Sequence, residues 1–257
     1  IDPRINLNDQ PWSLPVVFRG QTGSIRWTQP LGADWNASVH LLRQRLTTDD
    51  RIAFPFGCRA ENRFDRYCSD GSFDLYDYRS EGERRTSDAV DLALSGQSHA
   101  MGLEQRLGVG LLLTRYSLRT RPLAYNFVGV GTIDGLAIVP PDPSTPYANV
   151  LRDEHTTEWR VQDAITLDDA WSLWAGVRQT RLQRSSAQTD GSAATDYHQA
   201  FTTPWLAFSR AFGPRAQLYA SWGQGVESDV APNLPMYRNA GQALPAAKSR
   251  QIEVGYK

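Results

Sequence analysis

Short segments in which apolar and polar residues alternate recur along the whole chain. In residues 217–222, Leu218, Ala220 and Trp222 fall on one side and the polar residues between them on the other. Such a period of two is typical of a β-strand with two unlike faces. Nine segments show it, and we predict nine strands. Pro204 falls inside one of them, where we expect a bulge, because proline donates no ladder hydrogen bond.

The connections between the predicted strands alternate in length. Short turns lie near residues 32, 100, 168 and 213, and longer loops span residues 54–84, 122–154, 183–197 and 226–247. Outer-membrane barrels have short periplasmic turns and long extracellular loops, whereas a Greek-key sandwich has no reason to sort its connections. We therefore predict an all-β fold, an antiparallel up-and-down transmembrane β-barrel segment of about nine strands from a larger barrel.

Composition agrees with a membrane barrel and excludes other classes. No stretch reaches eighteen apolar residues, which excludes transmembrane helices, whereas barrel strands need only about 9–11 alternating residues. Aromatic residues make up 11% of the chain, and Trp27 and Trp35 flank one short turn, as in an interfacial aromatic belt. The formal net charge of −1 argues against a nucleic-acid partner.

Two stretches near the end of the chain carry a family resemblance. Residues 218–227 (LYASWGQGVE) and 248–256 (KSRQIEVGY) resemble the barrel signature of TonB-dependent outer-membrane receptors, especially the siderophore receptors. One departure is visible, because that family usually has Leu-Lys-Pro-Glu before the final strand and this chain has Leu-Pro-Ala-Ala-Lys at 244–248.

The resemblance implies a location in the bacterial outer membrane, in contact with its lipid, and no enzymatic activity. It implies a ferric siderophore as ligand, with iron carried inside the ligand and no resident cofactor. The family barrel has twenty-two strands around a plug domain that TonB contacts. Neither the plug nor the TonB-contacting segment is found here, and the opening Ile-Asp-Pro-Arg has no signal-peptide pattern. We therefore expect residues 1–257 to be a portion of the barrel that begins at a cut.

Aromatic residues in the predicted loops are the candidate ligand-binding residues, because ring faces and guanidinium groups suit flat, anionic chelates. The alternative is that these aromatics only pack the loops against one another. The candidates are Phe56, Tyr76, Tyr78, Tyr125, Tyr237 and Arg238, within a wider set that adds Phe54, Phe64, Tyr67, Phe73 and Phe127.

Cys58 and Cys68 lie in one polar segment, where a disulfide would indicate an oxidising compartment such as the periplasm or cell surface. Metal binding is the alternative, although two cysteines without a nearby histidine make a poor zinc site.

Three other functions stay open. An outer-membrane protease or lipase needs a His beside a carboxylate or Ser at the extracellular rim. An uptake receptor for another scarce nutrient, such as cobalamin or a glycan, fits the same loop aromatics. A soluble carbohydrate-binding or adhesive domain requires that the apolar rows 107–113 and 171–177 face a second sheet.

Overall fold

In the part of the chain that the computed structural model describes (residues 3–100, 102–227, 231, 238, 244 and 246–257), ten strands form one antiparallel sheet. No helix in this part is long and apolar enough to cross a membrane. The strands are β1 (Val17–Pro30), β2 (Trp35–Pro55), β3 (Ser72–Ala100), β4 (Leu103–Arg119), β5 (Ala124–Thr132), β6 (Val150–Thr166), β7 (Trp171–Gln188), β8 (Thr195–Ala211), β9 (Gln217–Glu227) and β10 (Ala247–Tyr256). The order across the sheet is β1-β2-β3-β4-β6-β7-β8-β9-β10, and β5 pairs with β3.

Strand β5 continues the path of β4 along β3. Arg119 at the end of β4 pairs with Arg84, and Ala124 at the start of β5 pairs with Arg79. Between these two pairs, β3 and the chain opposite it each advance by the same number of residues, so the pairing register is unchanged across the break. The break contains Pro122, which donates no ladder hydrogen bond. Across its described residues the sheet therefore makes nine passes, as predicted, and one of them is split into two strands.

The predicted all-β, up-and-down architecture is confirmed, but the long loops are shorter than expected. About half of the segment 54–84 is strand, because β2 runs to Pro55 and β3 starts at Ser72. The segment 122–154 contains β5 and the start of β6, and 183–197 shrinks to 189–194. The reason is that these strands extend beyond the region of apolar and polar alternation, while their backbone pairing continues.

The expected bulge at Pro204 is absent from β8, which is described in full. Pro204 pairs with Val177 in the unbroken register of β7 and β8. Pairing of β8 with β9 begins only at Trp205. The proline therefore lies at the margin of the ladder, where it disturbs no pairing with β9.

The two sides of the sheet differ in chemistry near the short turns. On one side, the apolar face, cross-strand rows are apolar, as in Leu41, Val90 and Leu113. Large side chains there stay exposed, Trp27 to 58%. The opposite side, the polar face, carries ion pairs such as Arg160–Asp91 at 2.6 Å. An apolar band on one side and polar groups on the other are the arrangement of a barrel wall.

The soluble-domain alternative is wrong for this sheet. It requires a second sheet over the apolar rows, and the described residues form a single sheet. Val109 and Val177, which belong to those rows, are instead about two-fifths exposed.

The packed core lies at the end of the sheet remote from the short turns. Phe73 and Leu75 are buried there with Ala53 and Val139. Trp12 packs against them and donates its indole N–H to the carbonyl of Val139 at 2.9 Å. Segments before β1 and after β5 thus cover one side of the upper β2–β3–β5 sheet.

The buried carboxylate of Asp77 ties the segment after β5 to the same region. Asp77 is fully buried and accepts two hydrogen bonds from the Arg79 guanidinium, both at 2.8 Å. It also accepts the backbone N–H of Asp142 at 3.0 Å. Because a buried carboxylate is costly without partners, the two bonds from Arg79 compensate the burial of Asp77 within β3. The bond from Asp142 joins the 133–149 connection to β3.

Candidate functional site

An aromatic cluster lies on the upper part of β2, β3 and β5. Strand pairing creates it, because Phe54 is opposite Tyr76, Tyr76 is opposite Phe127, and Tyr78 is opposite Tyr125. Residues directly opposite in an antiparallel pair lie close enough for their side chains to interact. The aromatic cluster consists of Phe54, Phe56, Tyr76, Tyr78, Tyr125 and Phe127.

Tyr125 is the centre of the cluster. Its ring stacks on Tyr76 with centroids 4.5 Å apart and planes 6° apart. Phe54 lies 5.9 Å away in a tilted contact, and Tyr78 lies 6.3 Å away edge-on. Offset-stacked and edge-to-face pairs are the favourable aromatic geometries. The rings therefore form a pre-ordered surface.

The margin of the cluster is open to solvent. Phe56 is 43% exposed and Phe127 is 42% exposed. The guanidinium of Arg59 lies 4.6 Å above the Phe127 ring, a cation–π geometry. The backbone N–H of Arg59 donates to the buried Asp74 carboxylate at 2.9 Å, which fixes the position of that residue. A ligand at this margin meets ring faces and one guanidinium group.

The tyrosine hydroxyls of the cluster are held in the neutral form. Burial, followed by the neighbouring Tyr76 and the Asp74 charge, raises the pKa of Tyr125 to about 12. Burial and the Asp74 carboxylate also raise the pKa of Tyr76, whose hydroxyl donates to Asp74 at 3.5 Å. Neutral phenols remain hydrogen-bond donors, so the cluster offers donors beside its ring faces.

The aromatic cluster lies on the polar face of the sheet. Side chains alternate along the unbroken β2, so Phe54 is on the same side as His40 and Leu42, opposite the apolar Leu41. The extra residue at the β2–β3 irregularity is in β3, between the pairs Thr48–Glu83 and Asp50–Ser80. A bulge of this kind reverses the sides that the residues on its two flanks face. Tyr76 and Tyr78, which precede the bulge in β3, therefore lie on the polar face with Phe54.

A cleft on the polar face lies farther along the sheet. It has a volume of about 420 Å³ and spans β6 to β9. Its wall combines the Glu158–Arg178 ion pair, at 3.6 Å, with the ring of Trp205. The polar face thus offers charged and aromatic groups below the level of the cluster as well.

The structure brings together four of the six candidates, Phe56, Tyr76, Tyr78 and Tyr125. Arg238 is an exposed turn residue, and Tyr237 lies outside the described residues. In the wider set, the ring centroids of Tyr67 and Phe73 are 4.7 Å apart. Phe73 belongs to the packed core and Tyr67 packs against it, as expected if these aromatics pack the loops against one another.

Arg59 was missed by the sequence analysis. Its position is set by a single 3-10 turn (Arg59–Glu61) and by Asp74, fifteen residues away in sequence. In the sequence, Arg59 could have been selected because it follows Cys58, which predicts a position in a disulfide-constrained loop.

Cys58 and Cys68 are joined by a disulfide, with Cα atoms 5.1 Å apart. Glu61 lies close to both sulfur atoms. Thiolates are the cysteine species that bind metals, and sulfurs in a disulfide are not thiolates. The disulfide therefore stabilises the 56–71 connection, which holds Phe56 and Arg59 at the edge of the cluster.

Among the residues that the structure describes, one histidine lies beside a carboxylate, as an enzyme site would require: Nε2 of His198 is 3.1 Å from Asp196. Both side chains are exposed, to 62% and 70%. Asp196 and His198 lie an even number of residues from Leu206 along β8, so they are on the apolar face and do not face the cluster. This pair forms no enclosed catalytic site.

Comparison with known proteins gives one family match. The family model described as TonB dependent receptor-like, beta-barrel, matches residues 3–257. The matched family and the similar structures are receptors and transporters and not enzymes, in agreement with the sequence prediction. No curated protein matches the chain.

Solved structures of receptors share the fold. The ferric preacinetobactin receptor BauA from Acinetobacter baumannii aligns with a TM-score of 0.72 at 15% identity, over 94% of this chain and 35% of that one. The siderophore receptor PiuA from Acinetobacter baumannii gives 0.71 at 13% identity, over 93% and 37%. The ferric citrate transporter FecA gives 0.67 at 12% identity, over 96% and 33%. The chain thus spans about a third of each of these proteins.

Proposed function

Because the chain belongs to the family of TonB-dependent receptor-like β-barrels, we propose that it is part of an outer-membrane receptor that binds and takes up a ferric siderophore. The short turns then face the periplasm, and the aromatic cluster lies on the extracellular side. Residues 1–257 supply a portion of the barrel, and the plug domain belongs to another part of the same receptor.

The aromatic cluster is the observation that carries this proposal. Its rings lie on the polar face, which is the luminal side of a barrel wall, and Arg59 adds a positive charge at their margin. Flat catecholate or hydroxamate groups stack on rings, and a guanidinium group complements the negative charge of a chelate. Ligand would meet the cluster before it reaches the polar cleft between β6 and β9.

The names of the similar structures support the same ligand class. BauA is a ferric preacinetobactin receptor, PiuA is a siderophore receptor and FecA is a ferric citrate transporter. Their common feature is iron bound in a chelate. We accordingly propose that iron enters with the ligand and that the receptor needs no resident cofactor.

Uptake would draw its energy from outside this chain. The proposed sequence is binding at the aromatic cluster, followed by movement of the plug when TonB pulls on it, driven by the proton gradient of the inner membrane. The residues described here bind and orient the ligand, and no bond of the ligand has to break at them.

The proposal is tested by replacing the stacked rings. In the complete receptor in detergent, we expect Tyr76→Leu with Tyr125→Leu to weaken binding of radiolabelled ferric siderophores at least about tenfold, because two aromatic contacts are lost. A panel of catecholate, hydroxamate and citrate chelates is measured by filter binding. The matched control, Trp27→Leu with Tyr256→Leu, removes two exposed rings from the apolar face and should leave binding unchanged.

Failure of every ferric chelate to bind the wild-type receptor would contradict the siderophore proposal. Cobalamin and glycans in the same assay then test the other nutrients that suit an aromatic surface. Binding that is unaffected by the double replacement would show that the ligand site lies elsewhere in the receptor.

A further inference from the structure

A group of arginines lies on the apolar face just beyond its last apolar row. That row contains Leu41 of β2, Val90 of β3 and Leu113 of β4. Two residues farther along each strand, away from the short turns, the next row on the same face contains Arg43, Asp88 and Arg115. The apolar face thus changes from apolar to charged side chains between two neighbouring cross-strand rows.

The basic region continues for two more rows. Arg45, Thr86 and Ser117 form the next row, and Arg84 and Arg119 pair in the row above it. Together these side chains surround a shallow depression of about 340 Å³. We call the five arginines 43, 45, 84, 115 and 119 the arginine patch.

Carboxylates neutralise only part of this charge. Asp88 lies 3.5 Å from Arg43, and Asp153 accepts two hydrogen bonds from Arg119, both at 2.8 Å. Among the described residues, Arg45, Arg84 and Arg115 have no carboxylate within 4.0 Å, and all three are exposed. Three guanidinium groups thus remain available to an anion, with the hydroxyls of Thr86 and Ser117 between them.

The position of the patch identifies the kind of anion. The short turns of an outer-membrane barrel face the periplasm, so the far end of the apolar band lies at the outer leaflet. A basic group directly above that band is at the level of lipid headgroups, and acyl chains would lie on the apolar rows below it. Guanidinium groups bind phosphate oxygens through paired, charge-assisted hydrogen bonds.

We propose that the arginine patch binds the phosphate groups of a phosphorylated lipid in the outer leaflet, whose acyl chains pack on the apolar rows beside it. A free phosphate ion matches only the basic part of this surface. A phosphorylated lipid matches both the basic and the apolar part. The proposal depends on the membrane placement of the barrel and not on the ligand of the aromatic cluster.

The test uses the complete receptor in detergent and native mass spectrometry to count bound lipid. The probes are a diphosphorylated, acylated glucosamine disaccharide and the same lipid after removal of its phosphates. We expect the wild-type receptor to bind the phosphorylated form and to bind the dephosphorylated form much more weakly.

Two triple variants locate the binding. Replacement of Arg45, Arg84 and Arg115 by Gln should weaken binding of the phosphorylated lipid about a hundredfold, because each contributes separately to anionic-lipid binding. The control replaces Arg26, Arg106 and Arg215 by Gln, which removes the same charge from exposed positions on the polar face or in a short turn. It should bind the lipid like the wild type.

Three outcomes would overturn the proposal: equal binding of both lipid forms, no effect of the patch variant, or displacement of the lipid by inorganic phosphate at comparable concentration. The last would indicate a site for a free anion. If the patch variant does not assemble, the comparison of the two lipids on wild-type receptor still tests whether binding requires the phosphate groups, and equal binding overturns the proposal. Chelate binding at the aromatic cluster is measured separately, so either proposal can fail while the other stands.

Discussion

At the scale of single residues, Gly110 allows a side chain to reach across a whole strand. Arg160 of β6 is paired with Gly110 of β4, yet it donates to Asp91 of β3 at 2.6 Å. A Cβ atom on Gly110 would lie 2.5 Å from the guanidinium carbon of Arg160. Any larger residue at this position would therefore push the arginine away from its partner. In the sequence this glycine is an ordinary weak strand position.

Tyr125 is expected to give the aromatic cluster a distinct pH dependence. Its folded-state pKa of about 12 lies above the reference value of 10.0, so the folded protein holds the proton more tightly. The stability contributed by this phenol is fully present below pH 10 and is lost as the pH rises toward 12. In an ultraviolet titration of phenolate absorbance, Tyr125→Phe should remove one transition near pH 12.

Tyr256→Phe is the control for this titration, because Tyr256 is exposed and lies outside the cluster. It should leave the transition near pH 12 in place. A transition that survives in Tyr125→Phe would mean that Tyr125 is not the phenol with a pKa near 12.

At the scale of elements, the sequence predicts strands well only where they meet the apolar band. The alternation of Leu107 to Leu113 marks β4 because one face meets an apolar environment and the other meets water. In the upper part of β3, Phe73 and Leu75 face a packed core while Tyr76 and Tyr78 form the aromatic cluster. Both faces then carry large apolar or aromatic residues as well as polar ones, and the period of two disappears although the backbone pairing continues.

The same reasoning explains what could be predicted of the site. Ring chemistry and position outside the predicted strands led us to predict Tyr76, Tyr78, Tyr125 and Phe56 as ligand-binding residues, and the structure places them together. The stack of Tyr76 on Tyr125 depends on β5. The prolines of the 122–154 segment led us to predict a loop there, so this strand was not predicted. The place of Arg59 depends on a long-range bond to Asp74, and no local pattern reports such a contact.

Gly129 is expected to be essential for the pairing of β5 with β3. Its φ of +151° is a conformation that other residues rarely adopt, and a Cβ there would lie 2.7 Å from a methyl carbon of Val139. Gly129→Ala should therefore cost about 1–3 kcal/mol of local stability. We expect faster hydrogen exchange of the β5 amides and weaker binding at the aromatic cluster.

Gly23→Ala is the matched control, because a Cβ at Gly23 meets no atom within 4 Å. Its exchange rates should equal those of the wild type. If the β5 amides of Gly129→Ala are as protected from hydrogen exchange as those of the wild type, Gly129 is not required for the register shift of the β3–β5 pairing at Leu75 and Tyr76.

At the scale of the whole molecule, the described sheet has two edges. β1 pairs only with β2 and β10 only with β9 among the described residues. Beside one edge, Ile252, Val254 and Tyr256 are each about 70% exposed or more. Unpaired backbone groups next to exposed apolar side chains invite pairing with other chains.

Residues 1–257 produced alone are therefore expected to associate through these edges. In detergent, the isolated chain should elute as large aggregates in size-exclusion chromatography and show no heat-modifiable folded band on a gel. In the proposed complete receptor, further strands of the barrel would cover both edges, so that protein should be monodisperse and heat-modifiable. A monodisperse, folded isolated chain would contradict this prediction and show that the sheet closes by itself or is stable when open.

Strand β3 has 29 residues, which corresponds to about 95 Å of extended chain. Crossing the membrane takes only about 9–11 of them. In the proposed orientation, the disulfide-linked connection 56–71 and the rings beside it are therefore carried well clear of the cell surface. In that orientation, molecules far too large to cross the outer membrane, such as antibodies, can reach the segment that we propose recognises a nutrient.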